Sequence, residues 1–415
     1  MDTLKVRDAK DVEEVVRAAI ASEQPLEVIG HGSKRAVGHP MATNAVLDVS
    51  ALNAVTAYEP NELIITVEAG APLADVQSLI DAKNQQFAFE PMDTSVLLGT
   101  PGAGTIGGMI GAGLAGPRRI KAGGARDHLL GAHAVSGFGD SFKTGGRVVK
   151  NVTGYDLCKL LTGSWGTLAV MTEVTLKVMP KPESERTLVL RSLDDVTANK
   201  AMTAALGSPF DVSGAAHLPG SALRTSAGAL AGLAAARQSV TLVRLEGIAA
   251  SVVHRAASLS QALSSYGTVD HLDDGASAAI WAALRDVEPF AANGALGSWP
   301  VWRIVCPPAA GGALGQALRD AGADVIYDWG GGLIWAALPT RDNTSDHPQA
   351  ALVRSRVAAI GGHATLIRAT EEVRRVVDVF QPQLAGLAAL GERVRASFDP
   401  RSILNRGRMK RGGVA

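Results

Sequence analysis

The segment at positions 97–116 reads LLGTPGAGTIGGMIGAGLAG. Glycine recurs throughout it, and almost none of its side chains is larger than leucine or methionine. Such a composition suits neither a regular helix nor a regular strand, because glycine weakens both. The segment therefore predicts bare backbone against which something large packs closely.

Two other stretches of small residues flank this segment along the chain. The sequence GHGSK at 30–34 follows a predicted apolar strand at 26–29, and GSWGTL occupies 163–168. Successive backbone N–H groups with little side-chain cover form a cradle for an anion such as pyrophosphate, although an ordinary strand-to-turn connection has the same composition. Three such loops around one sheet favour an extended ligand with a diphosphate middle and flat ends, which is the shape of FAD.

A second interpretation of the central segment concerns dinucleotide binding. Gly102, Gly104 and Gly107 spell G-x-G-x-x-G, and Asp127 follows further along the chain. That fingerprint requires a buried strand before it and an amphipathic helix after it, whereas Pro101 precedes it here and more glycines follow. A nicotinamide-dependent dehydrogenase is therefore an outside alternative.

Composition excludes several other classes of protein. The 40 basic residues balance the 40 acidic ones, so the chain lacks the net positive charge of a nucleic-acid binder. The 2 cysteines, Cys158 and Cys306, are too few for an iron–sulfur cluster or a four-cysteine zinc site. No signal peptide or transmembrane run is recognisable, so we expect a cytoplasmic protein whose partners are small molecules.

Apolar periodicity predicts a first region rich in strands. A helical pattern begins at Asp11 and ends before Pro25, and further strands are predicted at 45–49 and 63–67. Two apolar stretches within 129–150 flank the turn sequence GFGD, which predicts a hairpin, and 167–178 alternates as a long strand.

The pattern changes after the sequence PKP at 180–182. Strand then helix is predicted twice, first at 187–190 and 196–206 and then at 240–245 and 250–266. This arrangement predicts an antiparallel sheet covered by helices, interrupted by a polar linker at 340–349. The fold class is therefore α+β, with domains at 1–180 and 181–383 and a closing segment at 384–415 that returns to the first.

Five motifs together carry a resemblance to a known family. They are GHGS at 30–33, GTIGGMI at 104–110, KNVTGYDL at 150–157, GSWGTL at 163–168 and FDPxxILNxG at 398–407. In this order they resemble the FAD-linked oxidases of the vanillyl-alcohol oxidase and p-cresol methylhydroxylase (PCMH) type. Within that superfamily the chain is most similar to the FAD-binding subunits of glycolate oxidase, also called glycolate dehydrogenase. The resemblance is strong over residues 1–180 and moderate over the last thirty.

The resemblance implies a PCMH-type FAD-binding domain of two subdomains, a cap domain, and a set of cofactor-binding residues. Noncovalent FAD is expected, with its pyrophosphate held by the first loop, its ribityl chain and isoalloxazine along the second, and its adenosine half near the third. The implied residues are Ile29, Gly30, His31, Gly32, Ser33, Lys34, Thr105, Gly107, Gly108, Gly111, Ala112, Gly113, Gly116, Gly163, Gly166, Thr167 and Val170.

Catalytic residues are harder to assign. Arg303 lies in a predicted apolar strand, where an unpaired charge is costly, so it is either paired or directed into a pocket where it could anchor a substrate carboxylate. Arg118 and Tyr155 are further candidates, and His363 could be a base or a loop histidine. No clustered histidine and glutamate motif occurs, so no metal site is predicted.

Two functional classes remain open. In the first, the chain oxidises glycolate or D-lactate to the 2-oxo acid and passes electrons to partners, which the resemblance implies are a second FAD subunit, D, and an iron–sulfur subunit, F. In the second, the chain binds FAD as a scaffold or electron relay and oxidises no substrate itself. In either class the chain has no transmembrane segment, and its complex could be peripheral to the inner membrane.

Overall fold

The computed structural model describes residues 2–43, 45–147, 154–233, 238–339 and 349–411. Its strands are β1 (Asp2–Lys5), β2 (Leu26–Ile29), β3 (Ala45–Asp48), β4 (Val55–Glu59), β5 (Ile64–Glu68), β6 (Gln85–Gln86), β7 (Leu129–Ser136), β8 (Ser141–Gly145), β9 (Ala169–Lys177), β10 (Met179–Pro180), β11 (Ser184–Arg191), β12 (Val212–Leu218), β13 (Val240–Gly247), β14 (Val269–Leu272), β15 (Val301–Val305), β16 (Asp324–Asp328), β17 (Leu333–Ala337) and β18 (His363–Arg368).

The helices range from single turns to four turns. They are α1 (Ala9–Ala21), α2 (Leu73–Asp81), α3 (Thr94–Leu98), α4 (Ile106–Ala112), α5 (Arg119–Ala122), α6 (Ala125–His128), α7 (Leu157–Leu161), α8 (Asp195–Leu206), α9 (Gly220–Thr225), α10 (Gly228–Ala231), α11 (Ala249–Leu263), α12 (Asp274–Arg285), α13 (Pro308–Asp320), α14 (Ala350–Ala358), α15 (Glu371–Val376) and α16 (Ala385–Phe398). Within the described residues, no helix is both long enough and apolar enough to cross a bilayer.

Two larger sheets and a short two-stranded one, which pairs β6 with β10, build the first half of the chain. A parallel sheet has the order β1-β3-β2 and packs against the apolar face of α1, and an antiparallel sheet has the order β4-β5-β9-β7-β8. The predicted strand at 26–29 and the predicted hairpin are both confirmed, the hairpin as β7 and β8. Val135 of β7 and Val170 of β9 join the apolar core of the parallel sheet and α1, whereas most apolar residues of the antiparallel sheet pack in a second core.

The second half contains one large sheet with the order β14-β11-β13-β12-β16-β17-β15-β18, antiparallel throughout. Helices α8, α11, α13 and α14 cover one face. The other face shares an apolar core with α12 and with residues of the first half, among them Leu97, Leu114 and Trp165. The predicted α+β class and helix-covered antiparallel sheet are thus confirmed, and the sheet's inner face packs against the first half.

The glycine-rich segment differs from its prediction. The expectation that it contains no regular helix is wrong for α4, which begins after Thr105, whose hydroxyl accepts a hydrogen bond from the Gly108 N–H at 3.2 Å. It ends at Gly113, which has a left-handed φ of +63°. Ile106 and Ile110 are fully buried in α4, and this packing outweighs the low helix propensity of glycine.

The same segment lacks the context of a dinucleotide-binding fingerprint. The residues before Gly102 form α3 and an irregular turn, so no buried strand leads into the glycines. The nicotinamide alternative therefore loses the feature on which it depended. The predicted polar linker, apart from Gln349, and the first four residues of KNVTGYDL lie outside the described residues.

The C-terminal tail packs along β2. The backbone N–H of Leu26 donates to the Ile403 carbonyl at 2.8 Å, and the N–H of Asn405 donates to the Leu26 carbonyl at 2.9 Å. The amide side chain of Asn405 accepts from the Val28 N–H at 2.8 Å and donates to the Trp165 carbonyl at 2.7 Å. One buried amide thus ties the tail to both β2 and the third small-residue loop. The domain limits at 180 and 383 stay a prediction.

We predict that Asn405→Ala lowers the free energy of unfolding by about 1–3 kcal/mol, because it leaves a buried backbone N–H and a carbonyl without partners. The measurement is urea denaturation of the purified chain. Arg406→Ala is the matched control, since Arg406 is exposed and makes no side-chain hydrogen bond among the described residues. Equal stability of the two variants would contradict the role of this amide.

Candidate functional site

A cleft with about 710 Å³ of open space lies between the two larger sheets of the first half. The ends of β2 and β9, the first turns of α4 and the C-terminal tail form its walls. Its lining consists of Val28, Ile29, Gly30, His31, Gly32, Ser33, Lys34, Arg35, Val49, Ala69, Thr105, Gly107, Gly108, Gly111, Ala112, Trp165, Gly166, Ala169, Val170, Met171, Asn405 and Arg408. The three small-residue loops therefore meet at one place.

Most of the residues predicted to bind the cofactor line this cleft. The four that do not are Gly113, Gly116, Gly163 and Thr167. Gly113 and Gly163 lie against each other, since a Cβ built on Gly113 would be 3.2 Å from the Gly163 Cα. These two glycines let the end of α4 approach the third loop. They therefore support the wall of the cleft without lining it.

The first loop presents unpaired backbone donors. Among the residues that the structure describes, none accepts a hydrogen bond from the backbone N–H of Gly32, Ser33 or Lys34. Gly32 has φ +69°, so the N–H groups on either side of it can point the same way. Consecutive donors in such a turn form a nest that suits a phosphate group.

Close backbone contact holds the first loop against the second. A Cβ on Gly30 would clash with the hydroxyl of Thr105, and a Cβ on Gly104 would clash with the Ser33 hydroxyl. Gly104 also has φ +91°, a conformation that L side chains rarely adopt. Glycine is therefore required at both positions for the loops to meet.

Two buried cations face the cleft. Lys34 is 8% exposed, and its ammonium donates to the Ser33 hydroxyl and the Ala103 carbonyl, each at 3.2 Å. Burial lowers the pKa of Lys34 to about 8, although Asp93 acts in the opposite direction. Arg408 is 5% exposed, and burial lowers the pKa of its guanidinium to about 10.

The contacts that hold Arg408 in place do not neutralise its positive charge. It donates to the Lys34 carbonyl at 2.6 Å, and its guanidinium carbon lies 5.4 Å from the centre of the Trp165 ring. Its buried Nε has no hydrogen-bond partner among the described residues, and no described carboxylate lies within ion-pair distance of Lys34 or Arg408. Buried cations without counterions beside a nest of N–H groups fit a diphosphate.

Arg408 and Trp165 are two of the cleft residues that the predicted cofactor-binding set lacks; the others are Val28, Arg35, Val49, Ala69, Ala169, Met171 and Asn405. Trp165 lies within the motif GSWGTL, and Arg408 directly follows the motif FDPxxILNxG. No local pattern indicates that this arginine stacks on a tryptophan so far away in the sequence. Asn405 was noted only as part of the returning tail, whereas its amide lines the cleft.

The three predicted catalytic residues lie away from this cleft. Tyr155 is 92% exposed, and its hydroxyl makes no hydrogen bond among the described residues. The Arg118 guanidinium donates to Glu246 at 2.7 and 3.0 Å and also lies near Glu90. Arg303 lies on the inner face of the large sheet, 5.1 Å from the centre of the Trp329 ring. Their catalytic roles stay predictions.

The partners of Arg118 belong to a buried ion network between the two halves of the chain. Arg244 donates to both carboxylate oxygens of Glu90, at 2.8 and 3.0 Å. Burial opposes ionisation of Glu246, but Arg244 and Arg118 hold its pKa at about 2. Because Arg118 is committed to two carboxylates, the network explains its position as a structural contact.

No group of three or more histidine, cysteine, aspartate or glutamate side chains within the described ranges is arranged to hold a metal ion. Cys158 and Cys306 are both buried and unpaired. Burial raises the pKa of the Cys306 thiol to about 11.

Comparison with known proteins shows the family to which the chain is related. A family model described as an FAD binding domain matches residues 3–145. The chain is 30% identical to glycolate oxidase subunit GlcE of Escherichia coli (strain K12) over 401 residues, which is 95% of each chain. It is 29% identical over 210 residues to glycolate oxidase subunit GlcD of Bacillus subtilis (strain 168), covering 48% of this chain and 43% of that one.

A solved structure shares the whole fold. The crystal structure of p-cresol methylhydroxylase with substrate bound superposes with a TM-score of 0.71 at 15% identity, over 99% of this chain and 88% of that one. At this identity the likeness concerns the fold alone, which is of the PCMH type.

We predict that Gly30→Ala lowers stability by about 1–3 kcal/mol, because the new methyl group forces the first loop away from Thr105. The same displacement should reduce the amount of FAD that copurifies with the chain, measured by its absorbance after denaturation. Gly102→Ala is the control, since a Cβ at that position meets nothing within 4 Å. If both variants retained FAD equally, the contact between the loops would not shape the cleft.

Proposed function

The chain belongs to the family of FAD-linked oxidoreductases that contains glycolate oxidase subunit GlcE, and from this membership we propose that it is the FAD-binding subunit of a glycolate dehydrogenase complex. FAD is its cofactor, and its chemistry is FAD-linked oxidation of a 2-hydroxy acid. The identity of the acid, the partner subunits and the route of the electrons belong to the proposal.

One observation carries the assignment of the cofactor site. The cleft combines three unpaired N–H groups at 32–34 with the buried charges of Lys34 and Arg408. We assign the pyrophosphate to this end. Gly108 and Gly111 line the cleft further along, and a Cβ on Gly111 would have only the Met171 methyl, at 3.9 Å, as a neighbour. Missing side chains there leave room for the ribityl chain and a flat ring.

The proposed reaction converts a 2-hydroxy acid to a 2-oxo acid. The hydroxyl proton leaves to a base, and the hydrogen on the same carbon leaves with its electron pair, so that a C=O bond forms. Bound FAD supplies the acceptor for that hydride. Two electrons are removed from each glycolate, which gives glyoxylate.

The electrons must then leave through other proteins. The 2 cysteines are too few to ligate an iron–sulfur cluster, so the proposed complex includes a second FAD subunit, D, and an iron–sulfur subunit, F. An exposed apolar face on α16 supports docking of a protein: Leu387 and Leu390 are 56% and 47% exposed, and Leu384 next to the helix is 85% exposed.

A second candidate function rests on a specific observation. Arg118, Arg303 and Tyr155 do not line the cleft, so the described lining offers little for substrate activation. This favours a subunit that binds FAD as a scaffold or electron relay and oxidises no substrate itself.

A spectroscopic experiment separates the two functions. The chain is purified with FAD and mixed with glycolate without oxygen, and the visible absorbance of the flavin is followed. Direct oxidation bleaches the flavin, whereas a scaffold stays yellow until subunits D and F are added. Failure of the folded chain to take up FAD at saturation would overturn both functions.

We further predict that FAD affinity falls as the pH rises through about 8. Lys34 carries its charge below its pKa of about 8 in the free protein, and a bound diphosphate stabilises that charge. Above this pH each binding event must take up a proton, so the Kd increases by up to about tenfold per pH unit.

The check is fluorescence titration with FAD between pH 7 and pH 10. Lys34→Met should bind more weakly and show a flatter profile over this range. Lys143→Met is the control, because Lys143 is exposed and makes no ion pair among the described residues. A profile of Lys34→Met as steep as that of the unaltered protein would assign the titration to another group.

A further inference from the structure

The register of the large sheet brings together polar groups on its inner face. Arg303 on β15 pairs with Trp335 on β17 and with Thr365 on β18, and His363 pairs with Val305 two residues along. Because residues two apart in a strand share a face, Arg303 and His363 project from the same side. Trp335 belongs to the apolar core that the sheet shares with the first half, so this is the inner side.

A second arginine approaches the same place from the first half. The guanidinium carbon of Arg119 lies 4.4 Å from the centre of the Trp329 ring, and that of Arg303 lies 5.1 Å from it. The indole N–H of Trp329 donates to the Gly116 carbonyl at 3.0 Å. Trp329 thus connects the two arginines to the glycine segment whose earlier residues, Gly111 and Ala112, line the cleft.

Neither guanidinium has an anionic partner. Among the described residues, no carboxylate lies within ion-pair distance of Arg303 or Arg119, and their side chains make no hydrogen bond there. Burial lowers the pKa of Arg303 to about 10, with a further contribution from the charge of Arg119. The carboxyl that acts on Arg303 is Asp328, and burial raises its pKa to about 7, so it supplies only part of a counterion.

Two other arginines in the second half of the chain are satisfied. Arg319 donates to both carboxylate oxygens of Asp195 at 2.9 Å, and Arg368 donates to carbonyls, among them that of Trp299 at 3.0 Å. Two like charges on one tryptophan, with no full counterion, are unfavourable unless an anion joins them. Arg119 and His363 are exposed, so a small molecule can reach the site from solvent.

We propose that Arg303 and Arg119, beside Trp329, form the binding site for the carboxylate of the substrate. Arginine suits this role because its planar fork donates two parallel hydrogen bonds to a carboxylate. Burial and the neighbouring guanidiniums lower the pKa of His363, so its neutral imidazole is available to the hydroxyl group of the same molecule. The ligand class is a small 2-hydroxy acid, which rests on the proposed function.

The test is calorimetric titration of the FAD-loaded chain with glycolate in the absence of oxygen. Arg303→Met and Arg119→Met should each raise the Kd for glycolate by at least about tenfold, since each removes a charge-assisted pair of hydrogen bonds. Arg303→Lys should bind with intermediate affinity, because it keeps the charge and loses the fork. Ethylene glycol, which lacks the carboxylate, should bind to none of the proteins.

The same experiment includes controls for loss of folding. Arg119 is exposed, so its truncation tests the site without disturbing the core, and Arg356→Met on α14 is the matched control for loss of an exposed arginine. The melting temperature of Arg303→Met should equal or exceed that of the unaltered protein, because an unpaired, largely buried charge is removed.

The outcomes separate this site from the proposed function. If glycolate bleaches the flavin but binds equally well to Arg119→Met, or to Arg303→Met, the carboxylate site is refuted and the function stands. If these variants fail only to assemble with subunits D and F, the arginines receive a carboxylate of a partner and the site is likewise refuted. If the chain takes up no FAD, the proposed function fails, and the glycolate titration of the same sample still tests the arginines.

Discussion

The structure of the cofactor cleft depends on one close contact, that of Gly30 with Thr105. Any side chain at position 30 would occupy the space of the Thr105 hydroxyl, which also caps α4 through the Gly108 N–H. The contact therefore sets the distance between the parallel sheet and α4 and, with it, the width of the cleft. The Thr105 side chain packs directly on the backbone of residue 30, and only glycine leaves that space free.

The cleft is closed by residues from the far end of the chain. Asn405 ties the tail to β2 and to the Trp165 loop, and this anchor carries Arg408 into the wall beside Lys34. Two buried cations without carboxylate partners reduce the stability of the free protein. A bound diphosphate would supply the missing negative charge. The stability that these two cations cost the free protein would then be regained when the ligand binds.

The large sheet uses its two faces differently. Helices cover the outer face, whereas the inner face packs against the first half through a shared apolar core. Within that core the charged groups fall into two kinds. Arg244 and Arg118 are neutralised by Glu90 and Glu246 and join the halves, while Arg303 and Arg119 meet at Trp329 without a full counterion. The first kind joins the two halves of the chain, and the second is where we propose that a ligand binds.

Local sequence was sufficient to predict the strands, the hairpin and the small-residue loops. Apolar alternation, turn residues and glycine content are patterns that can be recognised within a few neighbouring positions. The glycine motifs, in their order along the chain, also carried the family resemblance that implied FAD. The helix at 106–112 was not predictable in this way, because long-range packing of Ile106 and Ile110 overrides the propensity of glycine. Only the tertiary structure decided that Arg118 is paired, that Arg303 shares Trp329 with Arg119, and that Arg408 lies beside Lys34. The contacts of a charged side chain come from residues tens to hundreds of positions away, and no local pattern records which of them the fold will bring within a few ångströms.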